Sequence, residues 1–384
     1  MAKFGDIGEF RTGGTPSSSH PEYYGTEYPW ITTVALGSTY IDSSDATAFL
    51  SNEGLTNSST KVIDAGSLMI GIRVGVGKCS INNVPMCTSQ DIVSVVGIDK
   101  KKYYLPFLVA FVNSKKDYFD TQKRGATIKG ITTALIKDLV IPDLSYEKQK
   151  EIASVLEGLQ LLIEQHGDML ALIDQLVKSR FIEMFGSFPA NPNSWPTGTI
   201  RDIVSEVRYG TSLPAVEGGA YPYLRMNNIT YGGELDLTDI KRIDVPAEDL
   251  PKCTVRRGDV LFNRTNSREL VGKTCVYNRD EMMVLAGFVV RVRVNERMMP
   301  EFLSAFMNTD ASKRMLLGMC KTAIGQANIN AQELQNIAIY VPPIELQQEF
   351  VAFKAQTDKS KVEIQNALNE LEILKKSLMQ QYFG

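Results

Sequence analysis

A reaction centre in this chain would have to be built from few parts. His20 lies beside Pro21 in a serine-rich loop, and His166 stands in an apolar stretch. Neither has neighbours at the spacing of a catalytic triad or a metal set. Cys79 and Cys87 are too far apart for a zinc knuckle, and no second pair supports them. The odd, scattered set Cys79, Cys87, Cys253, Cys275 and Cys320 reads as reduced thiols of a cytoplasmic protein. GIRVGVGKCS resembles a phosphate loop only in part: five residues separate Gly71 from Gly77 where four are needed, and Cys79 replaces the hydroxyl that would hold magnesium. It reads as a strand followed by a glycine turn. Neither a G-x-G-x-x-G dinucleotide turn nor an NPPY-like or DPPY-like methyltransferase signature occurs. The chain is therefore expected to catalyse nothing, to hold no metal and to bind no cofactor of its own.

Loops rich in basic and amide side chains are more informative. RTGGTPSSS supplies Arg11, Thr12 and Thr15, GIRVGVGKCS supplies Arg73 and Lys78, and DTQKRGATIKG supplies Gln122, Lys123, Arg124, Thr127 and Lys129. Later, LRMNNITYGG supplies Arg225, Asn227 and Asn228, and LFNRTNSRELVGK supplies Asn263, Arg264, Asn266, Arg268 and Lys273. Arg pairs with guanine, Asn and Gln with adenine, and Lys, Ser and Thr with phosphate, so these are candidate DNA contacts. The alternative for any one of them is a solvated loop surface; the clustering in both halves favours DNA. The net charge of −3 argues against a generic nucleic-acid coat. Residues 1–145 carry 14 basic and 14 acidic side chains and 187–343 carry 18 and 17, so DNA binding would rest on local patches.

The elements that must position these loops come in two copies. KSRFIEMFG (Lys178–Gly186) returns as KSLMQQYFG (Lys376–Gly384). The same register aligns Ile131 with Ile329, Ile141 with Ile339, Gln149 with Gln347 and Leu170 with Leu368. Upstream, PFLVAFVN matches EFLSAFMN, and Gly77-Lys78 matches Gly272-Lys273. The chain is a duplicated unit. Each copy begins with glycine-punctuated strands and one helical apolar run, and ends in a long helix. In the first helix Ile152, Leu159 and Ile173 share a heptad position with His166, and Leu176/Val177 falls between; in the second, Phe350, Ile364 and Leu371 share one, with Leu374 between. This predicts an antiparallel coiled-coil-like pair; two helices docking separately on their own domains are the alternative. The fold class is α+β, with globular domains at 1–145 and 187–343 and spacer helices at 146–186 and 344–384. The linker GSFPANPNSWPTG opens the third segment. The N-terminus carries no apolar signal core, and the apolar runs fall short of the ~20 residues of a membrane span, so no membrane association is expected.

The arrangement resembles the specificity subunit of a type I restriction–modification system. The matching phrases are GGTP with YPWIT and VRYGT with YPYLR, the helix leaders IPDLSYEKQKEI and VPPIELQQEF, and KS(x)5FG closing both helices. Their order and duplication carry the resemblance over essentially the whole chain. One departure is Tyr340 where the first copy has Pro142. The resemblance implies two target-recognition domains that each read half of a split, asymmetric site on double-stranded DNA. It also implies two modification (methyltransferase) subunits and restriction (endonuclease/translocase) subunits as partners. S-adenosylmethionine, ATP and Mg would be bound by those partners. Helices of about 34 residues, roughly 50 Å long, could hold two readers about one DNA turn apart. A protein-interaction scaffold that reads no DNA is the rival reading.

Overall fold

The computed structural model describes residues 2–125, 129–323 and 326–384. The chain divides into two compact units, Met1–His166 with Ala367–Gly384, and Gly167–Asn366. In the first, one sheet has the strand order Glu9–Thr12, Ile92–Val96, Leu68–Gly71, Cys79–Asn82, Tyr40–Ile41. The other runs Ala48–Leu50, Tyr24–Ile31, Met86–Thr88, Val62–Ile63. The second unit repeats this plan, with four strands in place of five in the main sheet, as Val204–Tyr209, Val289–Val294, Val260–Asn263, Thr274–Val276, and as Lys241–Ile243, Tyr221–Leu224, Met283–Leu285, Thr254–Val255. Even the parallel pairing recurs, Trp30 with Cys87 and Tyr223 with Val284. The sequence repeat is thus a repeat of topology.

Glycines placed at matching points lead the chain from one sheet to the next. Gly13 and Gly14 donate to the carbonyls of Ile92 (3.2 Å) and Thr88 (2.9 Å). Gly210 and Thr211 donate to Val289 (3.3 Å) and Leu285 (2.8 Å). A Cβ on Gly13 would overlap the carbonyl oxygens of Thr88 and Ser89, and one on Gly210 those of Leu285 and Ala286. Only glycine permits so close a backbone approach. This is the physical content of the RTGGT and RYGT phrases.

The long helices span Tyr146–Phe185 and Ile344–Phe383, 40 residues each, so each is about 60 Å long at 1.5 Å per residue. A buried glutamine fixes the start of each. Gln149 accepts from Tyr104 N (2.9 Å) and donates to Lys102 O (3.1 Å) and Leu144 O (3.0 Å). Gln347 accepts from Met299 N (2.8 Å) and donates to Arg297 O (3.1 Å) and Pro342 O (2.9 Å). Each glutamine satisfies the N-cap amide of the globular helix, Leu105–Ser114 or Pro300–Met307, and two loop carbonyls. The helix ends are alike too. Phe383 packs in the first unit at 5.4 Å from Phe107 and 5.8 Å from Phe111, and its carbonyl accepts from Lys115. Phe185 packs in the second unit at 4.8 Å from Phe302. The first helix therefore ends in the second unit and the second helix ends in the first.

Within each unit the helix segments run antiparallel. In the first, Ile152, Leu156 and Leu159 are buried, and Lys375 donates to Gln160 Oε1. In the second, Phe350 is buried, Lys361 contacts Asp174 at 2.7 Å, and Arg180 contacts Glu349 at 3.0 Å. Ile173, Ile364 and Leu371 are half-buried. Leu176 and Leu374, expected on the seam, are 50% and 46% exposed. The inward positions step by four and then three from Ile152, so Val177 faces inward and Leu176 lies about 100° away. In the second helix Lys375 takes the place expected for Leu374, its aliphatic stem covering apolar surface.

Two further departures from plain repetition are local. Tyr340, in the strand Ala338–Tyr340, is buried and donates its hydroxyl to Gly186 O at 3.0 Å. The strand keeps its pairing with Thr197–Thr199 and the turn falls at Pro342-Pro343. The second unit also holds an ion network in its main sheet. Arg291 and Arg293 contact Glu206 at 2.8 and 2.7 Å, and Arg293 contacts Asp259 at 2.7 Å. The matching strand of the first unit has Ser94 and Val96 there.

Candidate nucleic-acid interface

In each unit the candidate loop joins neighbouring strands of the main sheet, Leu68–Gly71 to Cys79–Asn82 and Val260–Asn263 to Thr274–Val276. A second segment docks on it the same way in both: Ile131 N donates to Ile72 O (2.8 Å), and Ile329 N donates to Arg264 O (2.9 Å). In the first unit Arg124 and Gly130 exchange backbone hydrogen bonds of 2.9 Å, which brings this segment beside Arg73. In the second, Thr265 pairs with Asn328 and Asn266 with Ala327, extending the loop as a short ribbon. Topology thus gathers Arg73, Lys78, Arg124 and Lys129 in one unit, and Arg264, Asn266 and Arg268 in the other.

Side-chain environments divide the candidates. Thr12, Thr15, Lys78, Arg124, Lys129, Asn227 and Arg268 are exposed. Arg11 is held by Glu9 (2.9 Å), Arg73 by Asp91 (3.3 Å), Lys123 by Asp120 (2.5 Å) and Arg225 by Asp239 (2.9 Å). Such solvent-facing pairs are worth at most about 1 kcal/mol and would yield to a phosphate. Gln122 is half-buried and donates to Thr121 Oγ1 at 3.3 Å. Thr127 lies outside the described residues.

Three candidates are corrected by burial. Asn228 accepts from Arg225 N (2.9 Å) and donates to Asp236 O (2.9 Å) and Asp239 O (3.2 Å), closing its own loop. Asn263 is fully buried at the end of its strand and accepts from Thr265 N at 3.3 Å. Lys273 is 6% exposed and donates to Met226 O at 2.8 Å; burial pushes its pKa down. Asn228 and Lys273 satisfy buried carbonyls, as the interior requires, and Asn263 holds its own loop through Oδ1 while its Nδ2 is buried without a partner.

Arg264 has the most defined geometry. Its guanidinium lies 4.9 Å over the ring of Tyr209, and Nη1 donates to Gly287 O at 3.4 Å. Tyr209 is held in turn by the amide of Ala331, which donates to its hydroxyl at 2.9 Å. Arg264 Nε is buried without a hydrogen-bond partner. A stacked, pre-oriented guanidinium suits a bidentate acceptor such as guanine O6/N7 or a phosphate at its Nη groups, the buried Nε lying out of reach of either. Tyr209 and the exposed Phe288 beside Gly287 were missed by sequence reasoning. The signal for Tyr209 was its place in RYGT, next to the glycine that threads between the sheets.

The family profile described as "Type I restriction modification DNA specificity domain" matches residues 1–173 and again residues 192–372. The putative type I restriction enzyme MjaX specificity subunit of Methanocaldococcus jannaschii is 26% identical over 196 residues, 50% of this chain and 46% of that protein. The type I restriction enzyme MjaIX specificity subunit of the same organism is 23% identical over 259 residues, 62% of this chain and 60% of that protein. The chain thus spans between about half and three-fifths of the length of these curated relatives. The crystal structure of a type I restriction-modification system S subunit from M. genitalium shares the fold. It has a TM-score of 0.57 and 14% identity, covering 100% of this chain and 95% of that one.

Proposed function

Because the chain belongs to the family of type I restriction–modification DNA specificity domains, we propose that it reads a bipartite, asymmetric DNA site without catalysing the reaction itself. Each unit reads one half-site, and modification subunits recruited to the chain methylate it. S-adenosylmethionine is bound by those subunits, and ATP and Mg by restriction subunits that join the same assembly. The observation that carries this reading is the recurrence of one loop at one topological position in both units, with different side chains. Ile72 of the first loop corresponds to Arg264 of the second, by the matching hydrogen bonds to Ile131 and Ile329. Equivalent placement serves a shared task, and different chemistry reads different sequences, so the half-sites are unlike.

The test is to express the chain with modification subunits and map methylated adenines on DNA of random sequence. Methylation confined to one split, non-palindromic sequence is expected. Methylation indifferent to sequence, or unchanged when the loops 71–79 and 263–274 are exchanged for those of a relative, refutes the reading.

A further inference from the structure

A group of cations in the second unit lies beside the reading loop. Lys178 of the first long helix and Lys273 of the reading loop both act on Lys313 of the helix Asp310–Met319. Burial first, then the charges of Lys178 and Lys273, push the Lys313 pKa down to about 8. Lys313 donates to Gly272 O at 3.1 Å and stands 5.2 Å over the ring of Tyr231; neither is an anion. Lys178 is 3.9 Å from Asp310, and Lys273 is committed to Met226 O. Lys313, Tyr231, Arg268 and Arg314 line a single open depression whose carboxylates are Glu269 and Asp310. Arg268 and Arg314 are exposed. Three cations against two carboxylates leave this depression with a net positive charge, open to an anion from solvent.

We propose that Arg268, Lys313 and Arg314 bind a backbone phosphodiester of duplex DNA and so seat the second unit on its half-site. This rests on the DNA-reading role proposed above and adds a division of labour to it. Lysine meets phosphate as a point charge and arginine as a planar fork, and such contacts fix register while carrying no sequence information. Arg268 and Gly272 belong to the same loop as Arg264, so a phosphate held here places the Arg264 guanidinium against the adjoining groove. A phosphate beside Lys313 also restores its full charge. Of the three, Lys313 also ties the reading loop to its helix, through its bond to Gly272 O.

The experiment uses the full chain in complex with modification subunits, one duplex carrying its methylated sequence and one scrambled. Affinities are measured over a series of salt concentrations for Arg268→Gln, Lys313→Gln and Arg314→Gln. Each variant is expected to weaken both duplexes by the same factor. For every phosphate that is no longer neutralised, the log–log salt slope should flatten by about 0.9. The methylated sequence should stay the same, and Lys313→Arg should retain parental binding. Inorganic phosphate exchanged for chloride at matched ionic strength should leave parental affinity unchanged. Competition by inorganic phosphate that disappears in the triple variant assigns the site to a free anion and overturns the proposal. So do unaltered slopes in Arg268→Gln and Arg314→Gln, whose exposure rules out loss of folding, or a changed methylation sequence. A parent complex that cannot tell the two duplexes apart sinks the reading role itself, whereas variants that match a discriminating parent sink only the clamp.

Discussion

Replacing Gln347 by Ala tests whether the glutamine clamps hold the helix starts. Gln347 is fully buried and makes three hydrogen bonds, with Met299 N, Arg297 O and Pro342 O. Truncation leaves one amide and two carbonyls unpartnered, at about 1–3 kcal/mol for each buried group that water cannot reach. Allowing one carbonyl to be rescued by solvent, the loss is roughly 3–4 kcal/mol, a drop of more than 100-fold in the folding constant. Gln149→Ala should cost the first unit a similar amount, because its three partners match in kind and distance. Urea unfolding gives the energy, and hydrogen exchange read by mass spectrometry gives the place. In Gln347→Ala, exchange should rise at Met299 and along the first turns of Ile344–Phe383, while Tyr104 keeps its protection. A variant within about 0.5 kcal/mol of the parent, with Met299 still protected, would show that the clamp is ornamental and that apolar packing alone fixes the helix start.

Arg264→Ala should weaken binding by about 1–3 kcal/mol and relax only the half-site read by the second unit, whereas Arg264→Lys should keep affinity for non-specific DNA and lose the discrimination. Methylation mapping separates the two; unchanged selectivity in both variants removes Arg264 as a reader. The second unit should also be the more acid-sensitive. Burial alone would raise the Glu206 pKa, but the hydrogen bond from Arg208 and the charges of Arg291 and Arg293 outweigh it and hold it below the ordinary value of 4.5. A depressed carboxyl stabilises the fold above its unfolded pKa, and that contribution is lost as pH falls through the folded one. Melting temperature should therefore fall below about pH 4.5, less steeply in Glu206→Gln, which starts lower at neutral pH; identical acid profiles would contradict the network. Inserting one heptad after Leu170 and another after Leu368 keeps the seam in phase and adds about 10 Å to each helix, close to three base pairs. The unread gap in the methylated site should grow by that amount while the half-sites stay the same, and an unchanged gap in an active variant would separate helix length from gap length.

The duplication was legible in the sequence because its signals are local. A 3.5-residue apolar period, a glutamine three residues into each helix, and a glycine at each helix end are read along the chain without knowing what lies across from it. Which side of each helix turns inward was not so decided. Val177 and Leu176 are both apolar neighbours, and only the partner segment and the globular wall select Val177. Polar residues show the same limit more sharply. Asn228, Asn263 and Lys273 look like reading residues in a polar loop, yet all three are buried: Asn228 and Asn263 close their own loops, and Lys273 reaches a carbonyl 47 residues away. Conversely, Lys178, Lys273 and Lys313 are separated by tens of residues and carry no common motif. The push of Lys178 and Lys273 on Lys313 exists only once a helix, a loop and a second helix have been folded together. Periodicity is a property of the chain; burial and electrostatic company are properties of what the chain is packed against, and those the tertiary structure alone decided.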